Sequence, residues 1–268
     1  MANLRILYIA SEIDPFLNTS LVAEFVGKLA PAMQEKEIEI RILVPRFGVI
    51  NERKNRLHEV VRLSGTKVMV GSEEQTLTVK VASIPGSRLQ VYFIDNEHYF
   101  QRKSVFLDKE EKFFPDNEER LIFLCKGALE TVKNLEWAPD IVHCHDWITS
   151  LIPMYLKTSL KKDPIFQGTK VLFNVYNNAF EERFGENFPT KAKMIGMEDQ
   201  LLAPLASAGF KELINIGAHY ADIVARSEDF QHTDAPNLFA GKDAPYIAND
   251  QEGIENYLSL YQQLVGKP

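Results

Sequence analysis

The sequence predicts an α/β domain built on one doubly wound, mostly parallel sheet. Short apolar runs typical of buried strands alternate with helical patterns along most of the chain, and a group of closely spaced runs between residues 57 and 95 interrupts that alternation. Apolar residues make up 45% of the 268 residues and charged residues 25%, which is typical of a folded domain with a sizeable core.

The first elements predict a βαβ unit. Leu4–Ala10 is a continuous apolar run, as in a strand buried on both faces. A polar stretch, Ser11–Ser20, follows it and leads into apolar residues at helical spacing, and Thr19 or Ser20 can cap that helix. Alternating apolar residues over Ile38–Val44 then predict a second strand.

Residues 57–95 predict an antiparallel excursion from the parallel core. Their apolar runs are short and are separated by turn-forming residues, Gly65, Gly71 and Pro85–Gly86. We expect strands joined by tight turns over Val60–Leu63, Val68–Val70, Leu77–Val81 and Leu89–Ile94.

Regular alternation resumes after this segment. The predicted elements are helices over Asn117–Asn134, Ile148–Leu160 and parts of 190–218, and strands over Ile141–Cys144, Lys170–Val175 and Ile223–Ala225. We therefore expect residues 1–229 to form one domain.

The end of the chain predicts a linker and a closing helix. Residues 230–249 are polar and contain Pro236, Gly241 and Pro245, as a surface loop would. Residues 250–265 carry one wide apolar stripe, with a capping box from Asn249 to Glu252 and a stop at Gly266. A stripe of that width must be buried against something. It consists of Ile254, Tyr257, Leu258, Tyr261, Leu264 and Val265.

Composition excludes several classes of protein. The net charge of −7 is unlike that of a typical nucleic-acid-binding protein. The N-terminal apolar run is short and is followed by Glu12 and Asp14, so we expect no signal peptide, no membrane span and a cytoplasmic protein. The two cysteines, Cys125 and Cys144, lie in apolar runs and are expected to be buried thiols. We predict no cofactor.

Ligands of doubly wound sheets bind beyond the carboxyl ends of the strands. Ser11–Ser20 lies there and leads into a helix N-terminus, where it can bind an anion or be an ordinary capped loop. His143–Trp147 and Tyr176–Asn178 follow two other strands. His143 and His145 share one strand face, but the sequence places no third ligand beside them, so we predict hydrogen-bonded polar residues and no metal.

Six segments resemble motifs of bacterial glycogen synthases and plant starch synthases, in register from residue 4 to about 229. They are Ala10–Phe16, Pro45–Ile50, Val91–Asn96, Asp116–Arg120, Pro139–Trp147 and Gly217–Asp222. The resemblance implies a GT-B glycosyltransferase, in which two Rossmann-like halves face a cleft. The first half mostly holds the glucan acceptor, and the second holds ADP-glucose or UDP-glucose. The chain is similar to the first half alone, with the closing helix packed back on that same Rossmann-like domain.

The resemblance also implies site residues. Asp146 and His145 correspond to catalytic positions, as remnants of that site. The substrate-binding candidates are Glu12, Asn18, Thr19, Glu24, Tyr176 and Asn177.

Three ligand-facing positions depart from the family's motifs. The family's Lys-Thr-Gly-Gly-Leu is Asn18–Val22 here, its second histidine after His-Asp-Trp is Ile148, and the histidine of its Ile-His-Asn is Tyr176. The family's lysine is similar in role to a diphosphate clamp, which Asn18 has no charge to replace. A charge-assisted hydrogen bond is worth roughly 1.5–3 kcal/mol.

Three hypotheses follow. The first is a catalytically impaired family member that binds an α-glucan or a protein partner. The second is an active α-1,4-glucosyltransferase, using ADP-glucose or UDP-glucose, whose donor half comes from a separate chain. The third is a Rossmann-like domain adapted to an unrelated small ligand.

Overall fold

The structure is a computed structural model that describes residues 4–230, 238–239 and 241–266. In these residues the strands are β1 Arg5–Ile9, β2 Glu39–Pro45, β3 His58–Glu59, β4 Lys67–Val70, β5 Glu73–Thr76, β6 Thr78–Ser83, β7 Gln90–Asp95, β8 Ile141–His145, β9 Lys170–Val175, β10 Ile223–Ser227 and β11 Tyr246–Ile247. The helices are α1 Leu21–Glu35, α2 Glu97–Phe100, α3 Asn117–Asn134, α4 Leu151–Lys157, α5 Phe188–Ala192, α6 Asp199–Leu202, α7 Phe210–Tyr220 and α8 Gln251–Leu264.

Nine of these strands form one sheet, in the order β11-β10-β9-β8-β1-β2-β7-β6-β3. The strands from β11 to β7 are parallel, and β6 and β3 are antiparallel additions at one edge. The chain begins in the middle at β1, extends to one side through β2, and later returns to place β8 on the other side. The strand order therefore reverses between β1 and β8, which is where ligands bind in this class of sheet.

Helices cover both faces of the sheet, because successive side chains of a strand point to opposite faces. On β9, Asn174 meets Tyr257 of α8, while the ring of the preceding Phe173 packs against Gly217 of α7. The strands are accordingly apolar on both faces, and residues 6–9 of β1 are fully buried. The predicted doubly wound α/β fold is confirmed.

The antiparallel excursion forms, with one local correction. The strand predicted over Val60–Leu63 is wrong: His58 and Glu59 pair with β6, and Val61–Leu63 is a turn of 3₁₀ helix. The apolar residues of Val60–Leu63 do not form the buried face of a strand, because the side chain of Val61 is exposed. The remaining predicted runs are strands, and β4 pairs with β5 in a separate hairpin.

The closing helix α8 packs back on the domain, as expected. Tyr257 and Tyr261 are fully buried. The cap differs from the prediction: Asp250, not Asn249, accepts a hydrogen bond from the N–H of Gly253 at 2.9 Å. A Cβ at Gly253 would lie 1.8 Å from the carbonyl oxygen of Ala248, so this turn of α8 requires glycine.

The stretch predicted as a linker contains an edge strand, since β11 pairs in parallel with β10. Residues 231–237, with the predicted loop residue Pro236, lie outside the described residues. The domain boundaries at 229 and 249 stay predictions. In the described part of the chain no helix combines the length and apolarity needed to cross a membrane. Cys125 and Cys144 are buried free thiols, as predicted.

Candidate functional site

A cleft of about 530 Å³ lies beyond the carboxyl ends of β1, β8 and β9, beside the point where the strand order reverses. One wall is polar and consists of Ser11, Glu12, Thr19, Ser20, Asn177 and Asn178. The other is mostly aromatic and consists of Val105, Phe106, Leu107, Phe113, Trp147, Ala179 and Phe180. The structure thus brings together part of each of the three segments predicted from strand ends.

The carboxylate of Glu12 organises the polar wall. Its side chain is buried and accepts hydrogen bonds from the backbone N–H of Thr19 at 2.8 Å, the Thr19 hydroxyl at 2.9 Å and the Ser20 hydroxyl at 2.5 Å. Ser20 stands at the cap position of α1 but makes no capping hydrogen bond with its side chain. The carboxylate of Glu12 therefore holds the loop before α1 in place.

Three of the six predicted substrate-binding residues lie outside the cleft: Asn18, Glu24 and Tyr176. Asn18 is exposed and donates to the carboxylate of Asp14 at 3.2 Å. Glu24 pairs with Lys28 one turn along α1, at 2.6 Å. Thr19 and Asn177, by contrast, line the cleft; their role in binding a substrate stays a prediction.

The neighbouring space around Tyr176 is closed. Tyr176 and His145 are buried, and the Tyr176 hydroxyl forms a hydrogen bond of 2.8 Å with Nδ1 of His145. Only about 10 Å³ remains between Tyr176, Leu21 and Tyr257. Neither His145 nor Tyr176 lines the larger cleft.

His143 and His145 form a buried pair of neutral imidazoles. Their ring centroids are 3.9 Å apart, and Nδ1 of His143 is 2.7 Å from the hydroxyl of Tyr261. Burial lowers the pKa of His145 to about 3, and burial and then the neighbouring His145 lower that of His143 well below its ordinary value. Among the described residues no group of three or more His, Cys, Asp or Glu side chains could hold a metal ion.

Asp146 lies directly behind the cleft. Its backbone, at φ 69°, turns away from β8, and its N–H donates to the carbonyl of Asn174 at 2.8 Å. The amide of Asn178, which lines the cleft, donates to Oδ2 at 2.6 Å. Burial raises the pKa of Asp146 to about 7, and the charges of Asp229 and then of Glu12 add to that rise. This carboxyl group can take up or release a proton near neutral pH.

Sequence reasoning missed most of the aromatic wall. Phe113 stacks on Phe180 with ring centroids 4.7 Å apart, and Phe106 packs on Trp147 at 4.9 Å. Phe106 and Phe113 belong to a loop in which Leu107 and Phe113 form an isolated bridge. A loop has no hydrophobic period to detect. The available signal was a concentration of phenylalanines in an otherwise charged stretch, residues 102–116.

Comparison with known proteins identifies the family. Its sequence profile, described as the starch synthase catalytic domain, matches residues 5–229. The glycogen synthase of Chlorobium luteolum is 42% identical over 176 residues, 65% of this chain and 36% of that protein. The glycogen synthase of Chlorobaculum tepidum is 35% identical over 249 residues, 90% of this chain and 50% of that protein.

A solved structure shows the same fold. It is the catalytic domain of starch synthase IV from Arabidopsis thaliana bound to ADP and acarbose, with a TM-score of 0.69 and 17% identity, and it matches 98% of this chain and 50% of that one. The chain thus spans from about a third to half of the length of these proteins. Since the profile covers residues 5–229, which is most of the sequence, the chain belongs to the starch synthase catalytic domain family of glycogen and starch synthase-like glycosyltransferases.

Proposed function

We propose that this chain binds an α-glucan in the cleft and does not transfer glucose by itself. One observation carries the proposal: the cleft is open at about 530 Å³, whereas the space beside Leu21 and Tyr176 is reduced to about 10 Å³. Sites for small ligands usually measure about 300–1,000 Å³. Of the two spaces, only the first has room for a sugar chain.

The walls of the cleft fit the two sides of a sugar. A pyranose ring presents apolar C–H groups on its faces and hydroxyl groups around its edge. Trp147 and Phe180 offer aromatic surface to the apolar faces of the ring. The amide of Asn177, the hydroxyl of Thr19 and the carboxylate of Glu12 can form hydrogen bonds with its hydroxyl groups. The related starch synthase IV structure contains acarbose, which supports a ligand of this class, and it also contains ADP.

The proposal that the isolated chain does not transfer glucose is based on the absence of cationic side chains among the described residues that line the cleft. A sugar nucleotide carries a diphosphate that requires cationic partners. No lysine, arginine or histidine lines the cleft among the residues that the structure describes. Asn18, which stands where the family has a lysine, is exposed and bonds to Asp14. We place this function in the cytoplasm.

Calorimetric titration with maltoheptaose tests glucan binding. We expect binding at micromolar to millimolar sugar and at least about fivefold weaker binding by Phe180→Ala, because that variant removes one face of the aromatic wall. Tyr246→Ala is the matched control, since it removes an exposed aromatic ring outside the cleft. Absence of heat and of spectral change at millimolar sugar contradicts the proposal.

A second candidate is an active glucosyltransferase that obtains its donor half from another chain. The observation in its favour is Asp146, whose pKa of about 7 suits proton transfer at neutral pH. Incubation of the chain with labelled ADP-glucose, glycogen and a separately produced donor half of a related glycogen synthase separates the two candidates, because only the second predicts that the added half restores transfer. Sustained incorporation of label would reverse the order of preference.

A further inference from the structure

The loop 101–116 supplies four residues of the aromatic wall: Val105, Phe106, Leu107 and Phe113. It runs between α2 and α3, and its residues, all of which the structure describes, belong to no strand of the large sheet. Pairing with the sheet therefore does not fix its position. Other contacts must hold these side chains beside the cleft.

A buried arginine joins the two ends of this loop. Arg120, on α3, is fully buried, and its Nε donates a hydrogen bond of 2.8 Å to the carbonyl of Tyr99, just before the loop. Its Nη1 donates to the side-chain oxygen of Asn117, just after the loop. The amide of Asn117 donates in turn to the carbonyl of Phe106 at 2.9 Å. A chain of hydrogen bonds thus leads from Arg120 to the backbone of a wall residue.

Aromatic rings surround the guanidinium group of Arg120. A cation within about 6 Å of a ring centroid is attracted by the π electrons of the ring. The guanidinium carbon lies 5.3–5.8 Å from the ring centroids of four phenylalanines, Phe47, Phe100, Phe106 and Phe114. One of them, Phe106, belongs to the aromatic wall.

We propose that Arg120 is a positioning residue of the cleft, whose guanidinium group holds Phe106 where the aromatic wall can contact a sugar ring. This inference rests on the proposed function, because it assigns a residue that shapes the same cleft. Arg120 does not line the cleft itself. It acts through the amide of Asn117 and the ring of Phe106.

The charge of Arg120 is costly where it lies. Burial lowers its pKa to about 9, so the group stays charged at neutral pH although its surroundings disfavour the charge. Within the described part of the chain no carboxylate forms a salt bridge with it, and the nearby Asp116 pairs with Arg102. Replacing a buried ion by an apolar side chain is often neutral or stabilising. We therefore attribute the cation to its contacts with the loop and not to the stability of the core.

The place of Phe106 depends on contacts with two partners. Its ring centroid is 5.8 Å from the guanidinium carbon of Arg120 and 4.9 Å from the ring centroid of Trp147. The attraction between packed atoms falls steeply with distance, and a gap of about 0.5–1 Å removes about a quarter to a half of it. A small displacement of Phe106 would therefore weaken its packing on Trp147 and change the surface that a sugar meets.

Calorimetric titration with maltoheptaose tests the inference on two variants. Arg120→Met keeps an apolar stem and removes the charge and both hydrogen bonds, so we expect at least about fivefold weaker binding. Asn117→Ala keeps Arg120 but removes the link to the carbonyl of Phe106, and we expect at least about threefold weaker binding.

Lys126→Met is the matched control. Lys126 is a second buried cation on α3, and its ammonium group donates to three backbone carbonyls at 2.9–3.2 Å, those of Met69, Lys191 and Lys193. None of these residues lines the cleft. The control should lower the free energy of unfolding and leave the affinity for maltoheptaose unchanged.

A nuclear magnetic resonance signal reports the position of Phe106 without a ligand. The chain contains two tryptophans, Trp147 beside Phe106 and Trp137, which does not line the cleft. The indole N–H signal of Trp147 should shift in Arg120→Met and in Asn117→Ala, because the ring current of Phe106 acts on it. The signal of Trp137 should stay in place, and Lys126→Met should shift neither.

The outcomes separate this inference from the proposed function. Unchanged affinity in Arg120→Met, shown to be folded by thermal unfolding, or equally weakened binding in Lys126→Met overturns the inference while glucan binding stands. If Arg120→Met does not fold, unchanged affinity and an unshifted Trp147 signal in Asn117→Ala overturn it. Failure of maltoheptaose to bind the unmodified protein overturns the proposed function, and the role of Arg120 in the binding of a sugar falls with it.

Discussion

The hydroxyl of Tyr176 lies 2.8 Å from Nδ1 of His145, and both side chains are buried at the carboxyl end of the sheet. Both residues were expected to face a substrate. In the structure they bond to each other, beneath the helix α8, and Tyr257 and Leu21 close the remaining space. The cleft that stays open lies to one side of them, between Glu12 and Phe180.

Tyr176→Phe should destabilise the protein. The substitution leaves Nδ1 of His145 buried without its partner, and an unsatisfied buried polar group costs about 1–3 kcal/mol. Urea unfolding measures this loss. The matched control is Tyr246→Phe, which removes a hydroxyl from an exposed ring. Equal losses in the two variants would show that the buried hydrogen bond contributes nothing.

Tyr261→Phe should loosen the docking of α8. The Tyr261 hydroxyl is 2.7 Å from Nδ1 of His143 and 3.0 Å from the hydroxyl of Tyr8, so the variant deprives two buried groups of a partner. We expect a loss of about 2 kcal/mol or more in the free energy of unfolding. Ser259→Ala removes an exposed hydroxyl from the same helix and should cost less than about 0.5 kcal/mol. A loss in Tyr261→Phe no greater than that of Ser259→Ala contradicts this account.

The free energy of unfolding should fall as the pH falls from 6.5 towards 4. In this range the unfolded chain protonates His143 and His145, whose pKa values in the folded protein are lowered, for His145 to about 3. Each histidine contributes a loss of up to about 1.4 kcal/mol per pH unit. Asp146 acts in the opposite direction between about pH 7 and 4, because its folded pKa of about 7 exceeds its unfolded value of about 4.

Asp146→Asn removes that opposing contribution. Below pH 6.5 the variant should therefore lose stability more steeply than the unmodified protein, by about 1.4 kcal/mol per pH unit. Urea unfolding at pH 6, 5 and 4.5 measures the two slopes, and their difference cancels the groups that both proteins share. Parallel curves would mean that Asp146 has the same protonation state in the folded and the unfolded protein over this range.

The carboxyl group of Asp146 should titrate near pH 7 by ¹³C nuclear magnetic resonance. Burial raises its pKa to about 7, the amide of Asn178 lowers it, and the charge of Glu12 raises it. Glu12→Gln should therefore shift the midpoint down, and Asn178→Ala should shift it up. Glu24→Gln is the control and should leave it unchanged. Shifts of the same sign in the first two variants would contradict the assigned causes.

Local patterns predicted most of the fold. The apolar run at β1, the helix predicted over Asn117–Asn134 and the stripe of α8 each lie close to an observed element. These signals can be detected because burial of one side of a strand or helix imposes a period on the positions of its apolar residues. At Val60–Leu63 the pattern misled, because an apolar turn can resemble a short strand and no period distinguishes them.

The sequence by itself determined the class of sheet, the family and the segments that lie at strand ends. Only the tertiary structure decided which of those segments share a cleft. Phe106 and Phe180 are far apart in sequence, yet both line the cleft. His145 forms a hydrogen bond with Tyr176, and Glu12 forms hydrogen bonds with Thr19. Such choices depend on packing between distant elements and on the pairing of buried polar groups, which a one-dimensional pattern does not encode.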